Sequence, residues 1–211
     1  MKAVFVDIET TGLYFDTHTI LDIALAVLEL NDMSNLVTYT ACITCDAHDW
    51  ALADKEALQV NGYTPENHFP LAKHPSDVKQ EIISFLKRCE ILKDQAFFIC
   101  QNPAFDKPFF LQIISQAEMS ELGWPYHWLD LASMFWVKFY GSCYPAPSKL
   151  SLSKDNIARH FGLPHESRPH RALNGVLHLL QCYRHVTAWN NCFPHCDVEF
   201  MDFKLKPDLQ E

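Results

Sequence analysis

Lys2-Ala3-Val4-Phe5-Val6-Asp7-Ile8-Glu9-Thr10-Thr11-Gly12-Leu13 is the stretch on which the fold turns. A short run rich in Val and Phe that ends at a Thr-Thr-Gly turn reads as a buried strand delivering polar residues at its end. Residues two apart on a strand share a face, so Asp7 and Glu9 stand side by side just past the apolar run. Burying two like charges together is costly unless they are paired or hold a metal. On its own the pair reads equally well as a strand end whose acids face water.

Outward from this strand, residues 19–30 and 35–45 are apolar and β-branched with partial alternation, separated by a turn-like Asn-Asp-Met-Ser-Asn. Together with the first run they predict an antiparallel meander. A short helix is expected over Asp54–Val60, stopped by Asn61-Gly62, and a longer one over Pro75–Arg88 with apolar residues at 78, 82, 83, 85 and 86. Residues 95–100 predict a fourth strand, and Pro103 opens a helix through residue 117. Helices are then expected around Leu129–Phe139, from Leu150 to His160 and from Pro169 to Val186, with Gly141–Ser148 as a loop. This order gives an α/β fold with a mixed sheet of about five strands flanked by helices. The expected organisation is one domain over residues 1–187 and an appended tail over 188–211, where the apolar period is lost.

Composition narrows the function. The 211 residues carry a formal charge of −9, with 48% hydrophobic and 20% charged residues, which is globular rather than disordered. No window approaches the ~18 apolar residues of a membrane span, and Asp7 and Glu9 interrupt the N-terminal run, so neither an anchor nor a signal peptide is expected. The acidic balance argues against gripping a duplex through a broad basic face. Eight cysteines without an export signal point to reduced thiols and a cytoplasmic location. Cys42 and Cys45, or Cys192 and Cys196, have a spacing that zinc could use, but nothing in the sequence requires the pairs to be adjacent.

Two further positions carry chemistry. In Gln101-Asn102-Pro103-Ala104-Phe105-Asp106 a strand runs into a helix, placing Asp106 in the first turn, where an acid also suits the helix dipole. Carboxylates converging at strand ends are the geometry of a two-metal site for phosphoryl transfer. In Arg168-Pro169-His170-Arg171-Ala172-Leu173 a His opens the last long helix, where it could deprotonate a water beside such a site. Phe105, Phe109, Phe110 and Leu111 read as helix core. Trp124, Tyr126, His127 and Trp128 could stack on bases, with core packing the better reading. Lys149, Lys154, Arg159, Arg168 and Arg171 give the C-terminal third a basic bias suited to phosphate contact.

Asp7-Ile8-Glu9-Thr10-Thr11-Gly12-Leu13, Asn102-x-x-Phe105-Asp106 and His170-Arg171-Ala172-Leu173, in this order, resemble the histidine-type DEDD exonucleases, over about residues 1–187. That family includes the proofreading subunit of bacterial replicative polymerase, oligoribonuclease and ribonuclease T. The resemblance implies a ribonuclease H-like fold and two divalent cations, Mg or Mn, with Asp7 bridging them, Glu9 on one and Asp106 on the other. It makes His170 the general base. It gives the 3′-terminal nucleotide to Thr10, Thr11, Gly12 and Leu13, with Leu13 wedged against its base and Asn102 also at the substrate. The implied activity is a 3′-to-5′ exonuclease releasing nucleoside monophosphates from single-stranded DNA or RNA ends or short oligonucleotides. A second copy or a protein partner could attach through the tail.

The family's last motif has His, four residues, then Asp; here the acid's position is Gly175. Gly inside a helix costs about 1 kcal/mol relative to Ala, so it is no neutral filler. Asn174, His178 and Glu166 are the candidate substitutes. The outcome is either a weakened metal site or a catalytically inactive exonuclease fold that binds nucleic acid or a partner protein.

Overall fold

The computed structural model describes residues 1–31, 35–141 and 151–187. The strands are β1 (Lys2–Thr10), β2 (Ile20–Glu29), β3 (Leu36–Ile43), β4 (Ala72–Lys73), β5 (Ala96–Cys100) and β6 (Trp128–Asp130). Between β3 and β4 lie α1 (Ala47–Ala51), α2 (Lys55–Asn61) and α3 (Pro65–His68). Then come α4 (Pro75–Arg88), α5 (Pro103–Phe110), α6 (Gln116–Glu121), α7 (Leu131–Phe139), α8 (Lys154–His160) and α9 (Ala172–Val186).

The meander is present: β1 pairs antiparallel with β2, and β2 with β3. β5 lies parallel to β1, and β6 parallel to β5, in a six-stranded mixed sheet of order β4-β3-β2-β1-β5-β6. The sheet has six strands rather than about five, because the two-residue β4 and three-residue β6 join, at the edges, the four strands the sequence places; both are too short to show alternation in sequence.

β1 is the axis of the molecule because both its faces are buried. Val4, Val6 and Ile8 point into one core, with Ile82, Leu86, Phe109 and Phe110. Ala3 and Phe5 point into the other, with Ile157, Val176, Leu179 and Tyr183; Phe5 meets Tyr183 edge-on at 5.2 Å. By strand alternation Asp7 and Glu9 continue the Ala3–Phe5 row on the α9 side. The β1–β5 pairing stops at Phe5↔Ile99, so both acids project past it, at the carboxyl ends of two parallel strands. Such ends are where open α/β sheets bind ligands.

The helix expected to run from Pro103 to residue 117 is two helices. α5 stops at Phe110, and Ser115 starts α6 with a capping box to Glu118. Ile113 and Ile114 are both buried in the intervening turn. α8 begins at Lys154 after its cap Ser153, and α9 at Ala172 rather than Pro169. Leu150, Lys149, most of the Gly141–Ser148 loop, Cys143, Cys192, Cys196 and the tail 188–211 lie outside the described residues.

Candidate active site

α9 is positioned by a strand residue. Arg171, its N-cap, makes no side-chain cap bond. Instead the Asp22 carboxylate, 4% exposed on β2 opposite Glu9, accepts from the Ala172 N–H at 3.0 Å and from the Tyr63 hydroxyl at 2.9 Å. An acid at a helix start satisfies an orphan N–H and complements the dipole. Arg171 lies over the Tyr63 ring at 4.1 Å and donates to the Asn61 carbonyl, while Asn61 Nδ2 donates to the Thr10 carbonyl at 3.0 Å. This chain of contacts fixes the end of β1, the end of α2 and the start of α9 against one another.

The Thr-Thr-Gly turn is held as tightly. Thr11 donates from its N–H to the Thr19 carbonyl at 2.9 Å and accepts from the Asp54 N–H at 2.7 Å. A Cβ on Gly12 would meet His18 Nε2 at 2.4 Å and Asp54 Oδ2 at 2.7 Å, so close approach requires glycine there. Thr10 and Thr11 are buried, and Leu13, Tyr14 and Phe15 follow as an exposed apolar rim, Leu13 at 67%.

Asp7, Glu9, Thr10, Leu13, Asn102, Asp106 and His170 line one cleft of about 590 Å³. Three stretches of sequence far apart thus meet in one cleft. Thr11 and Gly12 lie behind the wall as its support. The cleft also contains Lys154, whose role there the sequence does not reveal, and Glu166, one of the candidate substitutes. Lys154 Nζ donates to Asp7 Oδ1 at 2.8 Å and to the Gly175 carbonyl at 3.2 Å, and pairs with Glu166 Oε2 at 2.9 Å. Glu166 is buried, and His170 Nδ1 lies 3.8 Å from its other oxygen. No short-range signal points to these contacts, because Asp7 and Gly175 lie 147 and 21 residues from Lys154 in the chain.

The substitutes for the missing acid separate cleanly. Asn174 faces solvent. His178 is buried but turns Nε2 to the Pro164 carbonyl at 2.9 Å, with Nδ1 3.9 Å from Glu166. Glu166 joins the site. A Cβ built on Gly175 would lie 2.0 Å from Asp7 Oδ2, so the Asp7 carboxylate occupies the space a side chain at 175 would take.

The electrostatics are those of crowded, desolvated acids. Burial, opposed by Lys154 and reinforced by Glu166, pushes Asp7 up to about 6. Burial, with Asp7 and Glu166 adding repulsion, pushes Glu9 up to about 8. Burial and then Asp7 hold Asp106 well above the carboxylate range. Burial alone would lower Lys154, but Asp7 and Glu166 reverse it and keep the amine charged. Four carboxylates therefore face one ammonium, a set that calls for added positive charge. Glu9, Glu166 and His170 offer ligand atoms all within 4.8 Å of one another. Glu166 Oε1 and His170 Nε2 are buried with no hydrogen-bond partner. Oxygen-rich donors with orphaned buried atoms fit a hard divalent cation.

The aromatic cluster divides. Trp124 is core, Trp128 stacks on Phe98 at 4.5 Å, and Tyr126 is 71% exposed with Lys107 Nζ 5.2 Å from its ring centre. Phe109 and Phe110 are core as expected, with Phe105 half-buried at the cleft wall.

A mixed sheet that gathers acids at the ends of two parallel strands, with a helix-borne acid and a His in the same cleft, is of the ribonuclease H-like fold class. The RNase_T exonuclease family model matches residues 4–183, and the chain belongs to that family, one of the DEDD-type 3′–5′ exonucleases. Ribonuclease T of Shewanella oneidensis is 28% identical over 127 residues, 59% of this chain and 56% of that protein. The Shewanella denitrificans protein of the same name is 28% identical over an equal length. The chain spans little more than half the length of these relatives. In fold it is similar to the nuclease domain of 3′hExo, a DEDDh family member, bound to rAMP (TM-score 0.64, 16% identity, 90% of this chain and 92% of that one). It also resembles E. coli Exonuclease I in complex with a dT13 oligonucleotide (TM-score 0.64, 14% identity, 90% of this chain and 42% of that one). Among the described residues no helix is long and apolar enough to cross a membrane.

Proposed function

We propose that this chain is a divalent-cation-dependent 3′–5′ exonuclease that releases nucleoside monophosphates from single-stranded nucleic acid ends or short oligonucleotides. The carrying observation is the convergence of Asp7, Glu9, Asp106 and His170 in one cleft beside the exposed Leu13 rim. Asp7, Glu9, Asp106 and Glu166 are the residues that would hold the cation, which supplies Lewis-acid stabilisation of phosphodiester oxygens and acidifies a water. His170 Nε2, buried and unpaired, is the atom to take the proton from the attacking water. Glu166 beside Nδ1 stabilises the imidazolium that results. Thr10, held from behind by the pinned Thr11–Gly12 turn, presents a rigid wall to the terminal nucleotide, and Leu13 an apolar surface for its base.

The test is degradation of 5′-labelled single-stranded DNA and RNA in magnesium and in manganese, with Asp106→Asn as the blank. A ladder shortening from the 3′ end, absent in the blank, is expected. One specific observation favours a second reading, an inactive fold that binds nucleic acid: Lys154 is already paired with Asp7. No ladder in either metal, with the labelled strand still retained by the protein, would establish that reading instead.

A further inference from the structure

Lys154 and Glu166 stand on the side of the site where the chain has Gly175 in place of an acid. An ammonium has three protons to donate and no acceptor capacity. Lys154 places those protons among Asp7 Oδ1 at 2.8 Å, Glu166 Oε2 at 2.9 Å and the Gly175 carbonyl at 3.2 Å. Every donor of this largely buried amine is satisfied within the protein. The arrangement depends on the glycine. With Asp7 Oδ2 2.0 Å from the Cβ position of residue 175, an acid at 175 and this Asp7 orientation exclude one another. Glu166 meanwhile spends one oxygen on Lys154 and keeps the other, Oε1, buried and without a hydrogen bond. Glu166 also offers a ligand atom to a group with Glu9 and His170, all within 4.8 Å of one another.

We propose that the Lys154 ammonium permanently takes the place of one divalent cation, so that the site binds a single divalent ion, with Glu166 supplying the acid missing at 175. Asp7, with one oxygen hydrogen-bonded to Lys154, has less acceptor capacity left to share between two further cations. A second divalent ion beside a fixed ammonium would also meet direct charge repulsion. The proposal rests on the exonuclease reading only for the nature of the ion.

The experiment is titration of the full chain, free of substrate, with manganese(II) chloride, followed by calorimetry and by the EPR signal of free manganese. One ion per chain is expected, rising to two in Lys154→Met and staying at one in Lys154→Arg. Glu166→Gln should weaken binding by roughly tenfold or more, the scale at which losing even a supporting group acts on a metal site. Two ions, or none, in the unaltered chain would overturn the proposal without any variant having to fold. A folded Lys154→Met that still stops at one ion would overturn it too. Because the count needs no turnover, a chain that binds one ion yet cuts no 3′ end sinks the exonuclease reading and leaves this one standing.

Discussion

Replacing Gly175 by Ala sets two effects of opposite sign against each other. In an ordinary helix interior the change stabilises by about 1 kcal/mol, because Ala loses less backbone freedom on folding. Here the added methyl would sit 2.0 Å from Asp7 Oδ2, and ordinary contact begins near 3.4 Å. The carboxylate must therefore move by more than 1 Å, which breaks its 2.8 Å bond to Lys154. A hydrogen bond between charged partners contributes about 1.5–3 kcal/mol, and here its loss also leaves an ammonium short of an acceptor. The loss exceeds the helix gain by roughly 1–2 kcal/mol, a fall in Tm of about 2–8 °C for a chain of this size. Urea and thermal unfolding in chelator-treated buffer would measure it. An Ala variant as stable as the unaltered chain, or more so, would refute the matched arrangement of Gly175, Asp7 and Lys154.

Three further outcomes are expected. Glu9 and Asp7 have folded values of about 8 and about 6 against ordinary values of 4.5 and 3.8, so the folded chain keeps protons that the unfolded chain has released. Their contribution to stability is full below about pH 4 and is lost as pH rises towards 8. Metal-free unfolding between pH 5 and 8.5 should therefore be less pH-dependent in Glu9→Gln than in the unaltered chain; parallel profiles would contradict this. Asp22→Ala removes the acceptor for Ala172 N–H and Tyr63 OH. It should cost about 1–3 kcal/mol in denaturant unfolding, while an effect below 0.5 kcal/mol would deny Asp22 its capping role. Leu13→Ala, at a position 67% exposed, should leave unfolding within about 0.5 kcal/mol while raising KM for oligonucleotides several-fold; an unchanged KM removes Leu13 from the substrate path.

What the sequence revealed is what local pattern encodes. The β1–β2–β3 meander, the α4 boundaries and the three motif-bearing segments all follow from periodicity and turn residues close by in the chain. The hidden parts depend on distant partners. Lys154 meets Asp7 across 147 residues, and Asp22 caps α9 across 150, which no short-range pattern reports. The break between α5 and α6 is different, because Ser115-x-x-Glu118 is a capping-box signature that local reading supplies. It was masked by the continuous apolar run around it. Glu166 is legible in the sequence as a candidate substitute ligand through its nearness to the His motif; its burial, with one oxygen on Lys154 and one unpaired, is what the fold adds.

The pairing of the basic residues changes how a chain of net charge −9 can hold a polyanion. The sequence suggests phosphate contact through Lys154, Arg159 and Arg171. In the fold Lys154 is committed to Asp7 and Glu166, Arg171 to the Asn61 carbonyl and the Tyr63 ring, and Arg159 to Asn156. Arg168 remains exposed on the approach to the cleft. Among the described residues, attraction must then come mainly from bound divalent charge and backbone N–H groups rather than from these lysines and arginines. Single-strand binding releases counterions with a slope of about −0.7 for each phosphate neutralised by a side-chain cation. With one or two such contacts, log K against log salt at fixed manganese should fall with a slope of roughly −0.7 to −1.4. Fluorescence anisotropy of a labelled oligonucleotide on the Asp106→Asn protein reads that slope directly. A slope several times steeper would mean that a basic track exists outside the paired residues and that the cleft is not where most of the strand is held.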